Sequence, residues 1–378
     1  MTTTAAAQRS ERRRIACIQF DSKHADVAGN IETVLSLVNE LIPKNDSESI
    51  DLVVLPELAL TGYVFKDRDE IDPHLEDPCN FVPPAIPSPA QSASTFDAVC
   101  KASSASSQQP SLMLAAHLAQ RLRCHVVIGF PELGSRQLSR DFAGVTTGPI
   151  DPPFDARPED VQSSEARIES GADSDGQDCA FNSAALLTPD GSIKHIFRKH
   201  FLFETDEVWA SEGSGFEAIN LPGLGNVCVA ICMDLNPFRF RTAFESCELA
   251  SFCVEKEIDL LIMPMAWLLP NDEKDKLSEH DSSKPAPSLS TINYWAMRCL
   301  PFFDPEHPAA RSSASSIQQR RVVYLVANNR TGTESDSTFA GSSCVLEMKS
   351  RQRPLLIDSL GASEQACLAA TLPALETV

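Results

Sequence analysis

No stretch of this sequence is apolar for long enough to cross a bilayer, and no signal-peptide core opens it. Among its 12 cysteines there is no Cys-x-x-Cys pair and no Cys/His cluster at zinc-ligand spacing. Basic residues are scarce beside acidic ones, 32 Lys and Arg against 52 Asp and Glu, a formal charge of −20. Charge alone works against nucleic acid or an anionic membrane as a partner. Internal repeats are absent, and so is the Gly-x-Ser-x-Gly elbow of serine α/β-hydrolases.

What is present is 378 residues, enough to bury a full core. The cysteines are scattered, several inside apolar runs such as Ile15–Phe20 and Val227–Cys232, which reads as reduced, buried thiols in a cytoplasmic protein. Residues 1–13 read as a disordered leader. They are rich in Thr, Ala and Arg like a mitochondrial transit segment, but short and broken by Glu11.

Runs of Val and Ile bounded by Pro, Gly and Asp mark strands at Arg14–Phe20, Leu52–Pro56, His125–Phe130, Ala184–Thr188, Val227–Cys232, Leu260–Pro264, Val322–Ala327 and Ser343–Met348. Val27, Ile31, Val34, Leu35, Val38 and Leu41 repeat at three and four, one face of a helix. Leu114, Leu118 and Leu122 mark a second helix, and Phe240, Phe244 and Leu249–Ala250 a third, just after Cys232. Alternating strands and helices predict a layered α/β fold. Three polar stretches near 88–110, 134–178 and 270–319 read as surface insertions in a single domain over 14–350, with 351–378 as a C-terminal extension.

Three residues stand at strand ends. Cys232 closes the apolar run Val227-Cys-Val-Ala-Ile-Cys232 where a polar turn toward a helix begins, a place where a helix N-terminus can stabilise a thiolate. The competing reading is one more inert thiol among 12. Glu57 ends Asp51-Leu-Val-Val-Leu-Pro-Glu57, and so apolar a setting raises a carboxylate's pKa toward that of a general base. A structural carboxylate receiving backbone hydrogen bonds fits equally well. Lys199 follows Ile196 and Phe197 and can stabilise an oxyanion or a thiolate; the plainer reading is a solvated cation. Together they have the shape of nucleophile, base and cationic stabiliser.

In combination, Leu55-Pro-Glu57-Leu, Asn182-Ser-Ala, Phe197-Arg-Lys199-His, Ile231-Cys232-Met-Asp234, Asn328-Asn-Arg-Thr-Gly332 and Phe339-Ala-Gly-Ser342 resemble the nitrilase superfamily of carbon–nitrogen hydrolases. The resemblance implies a four-layer α-β-β-α sandwich and a Glu57–Lys199–Cys232 triad, with no cofactor. Cys232-Met-Asp-Leu-Asn-Pro237-Phe, Phe201-Leu-Phe-Glu204-Thr-Asp-Glu207-Val-Trp209 and Met265-Ala-Trp267-Leu268 are similar to the fungal protein N-terminal amidases. That narrower likeness implies deamidation of N-terminal Asn and Gln of polypeptides through a thioester, feeding the N-degron pathway.

It also implies an oxyanion site at Lys199 and the Met233 backbone N–H. A further acid after the lysine is implied, for which Glu207 is the first choice and Asp206 the rival. Asp234 offers an acceptor for the substrate's α-ammonium, against a competing role as a cap of the next helix. Trp267, after a strand on the same rim, is a wall of the pocket or a core residue. The alternatives are a small-molecule ω-amidase, carbamoylase or nitrilase on the same scaffold, and a non-catalytic binding protein that kept the fold.

Overall fold

The computed structural model describes residues 12–41, 49–86, 93–134, 179–274, 285–312 and 322–373. Fourteen strands are present among them: β1 (Arg12–Gln19), β2 (Leu52–Val54), β3 (His125–Gly134), β4 (Cys179–Leu187), β5 (Ile193–Arg198), β6 (Ala218–Leu221), β7 (Gly225–Val229), β8 (Leu260–Met265), β9 (Val322–Asn329), β10 (Thr333–Glu334), β11 (Ser337–Thr338), β12 (Cys344–Lys349), β13 (Leu355–Ser359) and β14 (Ala366–Pro373). The α-helices are α1 (Val27–Val38), α2 (Arg68–Ile71), α3 (Ala93–Ser106), α4 (Pro110–Leu122), α5 (Glu204–Glu207), α6 (Glu248–Glu255), α7 (Leu289–Met297) and α8 (Pro308–Ser312).

Two six-stranded sheets, β14-β1-β2-β3-β4-β5 and β13-β12-β9-β8-β7-β6, form the middle of the molecule. Starting from β14 in one sheet and β6 in the other, both follow the same pairings: antiparallel, parallel, parallel, antiparallel, antiparallel. Strands covered on both faces read as continuous apolar runs, which is why β2 and β8 were legible as such. Alternate residues of β1 separate cleanly. Ile15 and Cys17 pack toward the other sheet, whereas Ala16 and Ile18 pack with Ile31, Val34 and Leu35 of α1 and Leu114 and Leu118 of α4. Sheet two is backed by Leu249 and Cys253 of α6 and Ile292 and Trp295 of α7. The architecture is the α-β-β-α sandwich. The sheets are also stitched directly, since Asn328 Nδ2 on β9 donates to Ile18 O at 3.2 Å and Val54 O at 2.7 Å.

Several boundaries differ from the sequence reading. The stretch at 351–378 is no appendage through residue 373: β13 and β14 are edge strands of the two sheets, and β14 pairs with β1 along its whole length. Its Ala-rich, half-buried alternation carried too little apolar weight to show. Within 88–110, α3 and the first residue of α4 replace the expected loop, α3 burying small residues such as Cys100 and Ser104. Within 270–319, α7 buries Ile292, Trp295 and Ala296 at helical spacing between polar flanks. Residues 12 and 13 of the expected leader begin β1. Residues 1–11 and, of the insertion near 134–178, all but Gly134 lie outside the described residues.

The third expected helix is also different. After Cys232 the chain makes a four-residue 3-10 turn, Cys232–Leu235, and a second at Phe238–Phe240; α6 begins only at Glu248. Pro237 and the left-handed Arg239 (φ 51°) and Phe240 (φ 54°) prevent continuous helix. A single short turn has little dipole to offer a thiolate. Among the described residues no helix is long and apolar enough to cross a membrane.

Candidate active site

Glu57 lies three residues beyond β2. Leu55 still pairs with β3 through its N–H to Val127 O at 2.8 Å, and Leu58 then turns with φ 45°. The turn packs directly on β3 at Gly129, where an added Cβ would meet Glu57 Cα at 2.5 Å and Pro56 O at 2.6 Å. Only glycine allows that approach. The Glu57 carboxylate is 1% exposed. Its Oε1 accepts from Lys199 Nζ at 2.7 Å and Asn182 Nδ2 at 2.7 Å, and its Oε2 from the Ala266 N–H at 2.7 Å.

Strand alternation separates the basic pair at the end of β5. Arg198 pairs with Glu132 and stacks over the Phe181 ring at 3.8 Å. Lys199 points to the opposite side and is fully buried. Its N–H donates to Asn182 O at 2.8 Å, and its ammonium bridges Glu57 and Asp206, the latter at 2.6 Å. Asn182 Nδ2 spans the same two carboxylates, reaching Asp206 Oδ1 at 2.9 Å. The lysine and the amide thus close a ring with two acids. Tyr63 borders it, its hydroxyl donating to Asp206 Oδ2 at 3.4 Å and its ring centroid 5.6 Å from Lys199 Nζ.

Cys232 stands at the end of the β7 run in a left-handed conformation, φ 44°. For a non-glycine residue that is a strained turn of the kind that clusters at functional sites. The Ala266 N–H lies between the two halves of the site, donating to Glu57 and toward the Cys232 sulfur.

The electrostatics follow from burial. Desolvation pushes the Glu57 carboxyl up, opposed by the Lys199 charge and reinforced by Asp206. Desolvation likewise pushes the Cys232 thiol well up, with Glu57 adding to it and Lys199 opposing. Burial disfavours the Lys199 ammonium, but Asp206 and Glu57 outweigh it and hold the group well above its ordinary value. The resting arrangement is therefore a thiol and a firmly charged ammonium, beside a carboxylate displaced toward general-base strength.

Other site residues fall differently from expectation. Asp206, not Glu207, meets Lys199. Glu207 is exposed and lines a cavity of about 820 Å³ with Arg198, Glu212 and Arg239. Asp234 is 2% exposed and its oxygens are taken by three backbone N–H groups, those of Ile231, His200 and Phe201. It caps the turn and is not open to a substrate ammonium. Trp267 follows Ala266 and is half-buried, edge-on to Trp295 at 6.0 Å. The Met233 N–H is in the turn directly after the nucleophile candidate. Asn182, Tyr63 and the Ala266 N–H were given no role in the sequence reading. A lone Asn within the apolar Cys179–Leu187 run was the one available signal. Asn328–Gly332 serves structure, with Arg330 paired to Glu334, whose carboxylate receives the Tyr63 and Val64 N–H groups.

Residues 14–146 match the model of the carbon-nitrogen hydrolase family. The chain is 28% identical over 372 residues to the protein N-terminal amidase of Schizosaccharomyces pombe, covering 95% of this chain and 99% of that protein. It is 23% identical over 288 residues to the protein N-terminal amidase of Saccharomyces cerevisiae, covering 71% of this chain but 48% of that longer protein. A crystal structure of N-terminal amidase with an Asn-Glu-Ala peptide has the same fold, with a TM-score of 0.67 at 18% identity over 96% of this chain and 98% of that one. Over residues 14–146 the chain is thus similar in sequence to the carbon-nitrogen hydrolase family, and it shares the fold of the N-terminal amidase structures.

Proposed function

We propose that this protein is an amidohydrolase that converts N-terminal Asn and Gln of polypeptides to Asp and Glu, releasing ammonia. The observation that carries the reading is the convergence of Glu57, Lys199 and Asp206 in one hydrogen-bonded network, with the Cys232 thiol near enough to feel all three. The relatives named protein N-terminal amidase support the substrate class. Asn- and Gln-starting peptides bound to structural neighbours point the same way.

In this mechanism Glu57 takes the proton of Cys232 as sulfur attacks the side-chain carboxamide carbon. Negative charge develops on the carbonyl oxygen and is met by the Lys199 ammonium and the Met233 N–H. Glu57 returns its proton to the leaving nitrogen, the C–N bond breaks as the carbonyl re-forms, and ammonia departs, leaving the thioester. Water, deprotonated by Glu57, attacks the thioester carbon; the carboxylate product leaves and the sulfur regains its proton. Asp206 keeps Lys199 charged and fixed throughout, and it, not Glu207, is the further acid after the lysine. Trp267 walls the pocket. The residues supply every group these steps need, so no cofactor enters. The product termini would enter the N-degron pathway, and a reducing compartment such as the cytoplasm suits a chain with nine buried cysteines.

The test is mass spectrometry of peptides beginning with Asn, Gln, Asp or acetyl-Asn. Amide-to-acid exchange on Asn and Gln alone supports the proposal. Turnover of acetyl-Asn peptide or of free glutamine at a comparable rate would move the assignment to a small-molecule amidase.

A further inference from the structure

We propose that Asp234 is a positioning residue, a single buried carboxylate that sets the spacing between the nucleophile turn and the lysine. The assignment of Cys232 and Lys199 to catalysis is the reading on which it rests.

The geometry is two-armed. Asp234 Oδ2 accepts the Ile231 N–H at 2.8 Å, while its own N–H donates to Ile231 O at 3.0 Å. Those two bonds close a ring around Cys232 and hold it in its left-handed conformation. Oδ1 accepts the N–H groups of His200 at 3.0 Å and Phe201 at 2.7 Å, the two residues after Lys199. Bonds to a carboxylate are stronger than neutral ones, and here they are buried.

Among the described residues, no other polar bond joins residues 231–235 to residues 199–203. The Lys199 N–H and C=O instead engage Asn182 and Gly213, neither of which belongs to the nucleophile turn. Phe201 adds apolar support through the Phe238 ring at 5.0 Å. A strained cysteine between sheets needs such a tie, because displacements of about 1 Å can lower a rate by about 100-fold. Burial pushes the Asp234 carboxyl up to about 6, against the pull of the Ile231 and Phe201 N–H groups and the Lys199 and His200 charges. The carboxylate is thus kept at a cost, as expected of a group retained for what it aligns.

The test is Asp234→Asn, which is isosteric. One amide oxygen can still receive the His200 and Phe201 N–H groups, but the amide nitrogen then faces the Ile231 N–H, so the nucleophile arm is lost. Two readouts are used: steady-state deamidation of an N-terminal Asn peptide, and alkylation of Cys232 by iodoacetamide. The expected result is a kcat lower by about 10- to 100-fold with KM changed by less than about threefold. Alkylation should slow by a similar factor while circular dichroism stays native. Unchanged kcat and alkylation in a folded variant, or a loss confined to KM, would overturn the proposal. Should the variant not fold, hydrogen exchange of the wild-type Ile231, His200 and Phe201 amides decides. Protection at all three supports the bracket; exchange at open-loop rates refutes it. Alkylation and exchange need no substrate, so they separate failure of this proposal from failure of the proposed activity.

Discussion

The two sheets share one pairing pattern but not one chemistry. Val54 pairs with Cys17 in the first and Ile262 with Val229 in the second, each on adjacent parallel strands. Three residues further along, Glu57 corresponds to Met265 and Phe20 to Cys232. The first sheet's strand ends supply the charges: Glu57, Lys199 and the amide of Asn182 between them. The second supplies a neutral thiol and backbone N–H groups. The same scaffold used twice can thus keep the costly buried ions in one network, where each is paired, and leave the proposed nucleophile Cys232 uncharged until a substrate arrives.

The comparison can be broken at its sharpest point by replacing Cys232. Cys232→Ala should lower kcat by at least about 10⁴-fold with the fold intact, measured by single-turnover deamidation. Replacing both positions of the corresponding pair sharpens it. Glu57→Gln should lower kcat by about 10³-fold, within the range for a lost general base, whereas Met265→Leu should leave kcat nearly unchanged. Gly129→Ala tests the support beneath Glu57 and should lower kcat by about 100-fold through displacement of the carboxylate.

The smallest effect concerns stability. Glu76 is fully buried, receives the Ser111 and Leu112 N–H groups at the start of α4, and is pushed up to about 7 by burial. Its folded value lies above its unfolded one, so the native state holds the extra proton between them. Its contribution is greatest below about pH 4.5 and is lost as pH rises to about 7, by on the order of 3 kcal/mol. Urea midpoints at pH 5 and 8 should differ less in Glu76→Gln than in the wild type.

Glu57, Lys199 and Cys232 were legible as candidates because each ends an apolar run, a pattern that survives in one dimension. Asp206 and Glu207 were not distinguishable, since neighbours on a helical turn differ by about 100° in direction and only the packed structure says which looks inward. Asp234 was legible as a cap but not as a link, because its second set of donors comes from 33 and 34 residues away. The edge strand β14 escaped for a different reason. Its fitness lies in pairing with β1, and a run of Ala, Leu and Thr does not announce a partner more than 340 residues earlier.

The ring of two acids around one ammonium has a consequence for the end of the cycle. In the proposed reaction an uncharged carboxamide group meets a site where Glu57 and Asp206 share Lys199. The product side chain is a carboxylate, a third negative group beside the one lysine that both acids share. Electrostatic repulsion from Glu57 and Asp206 then opposes the reverse reaction and speeds departure of what has been made. The free acid should be a poor inhibitor even where the parent amide binds well.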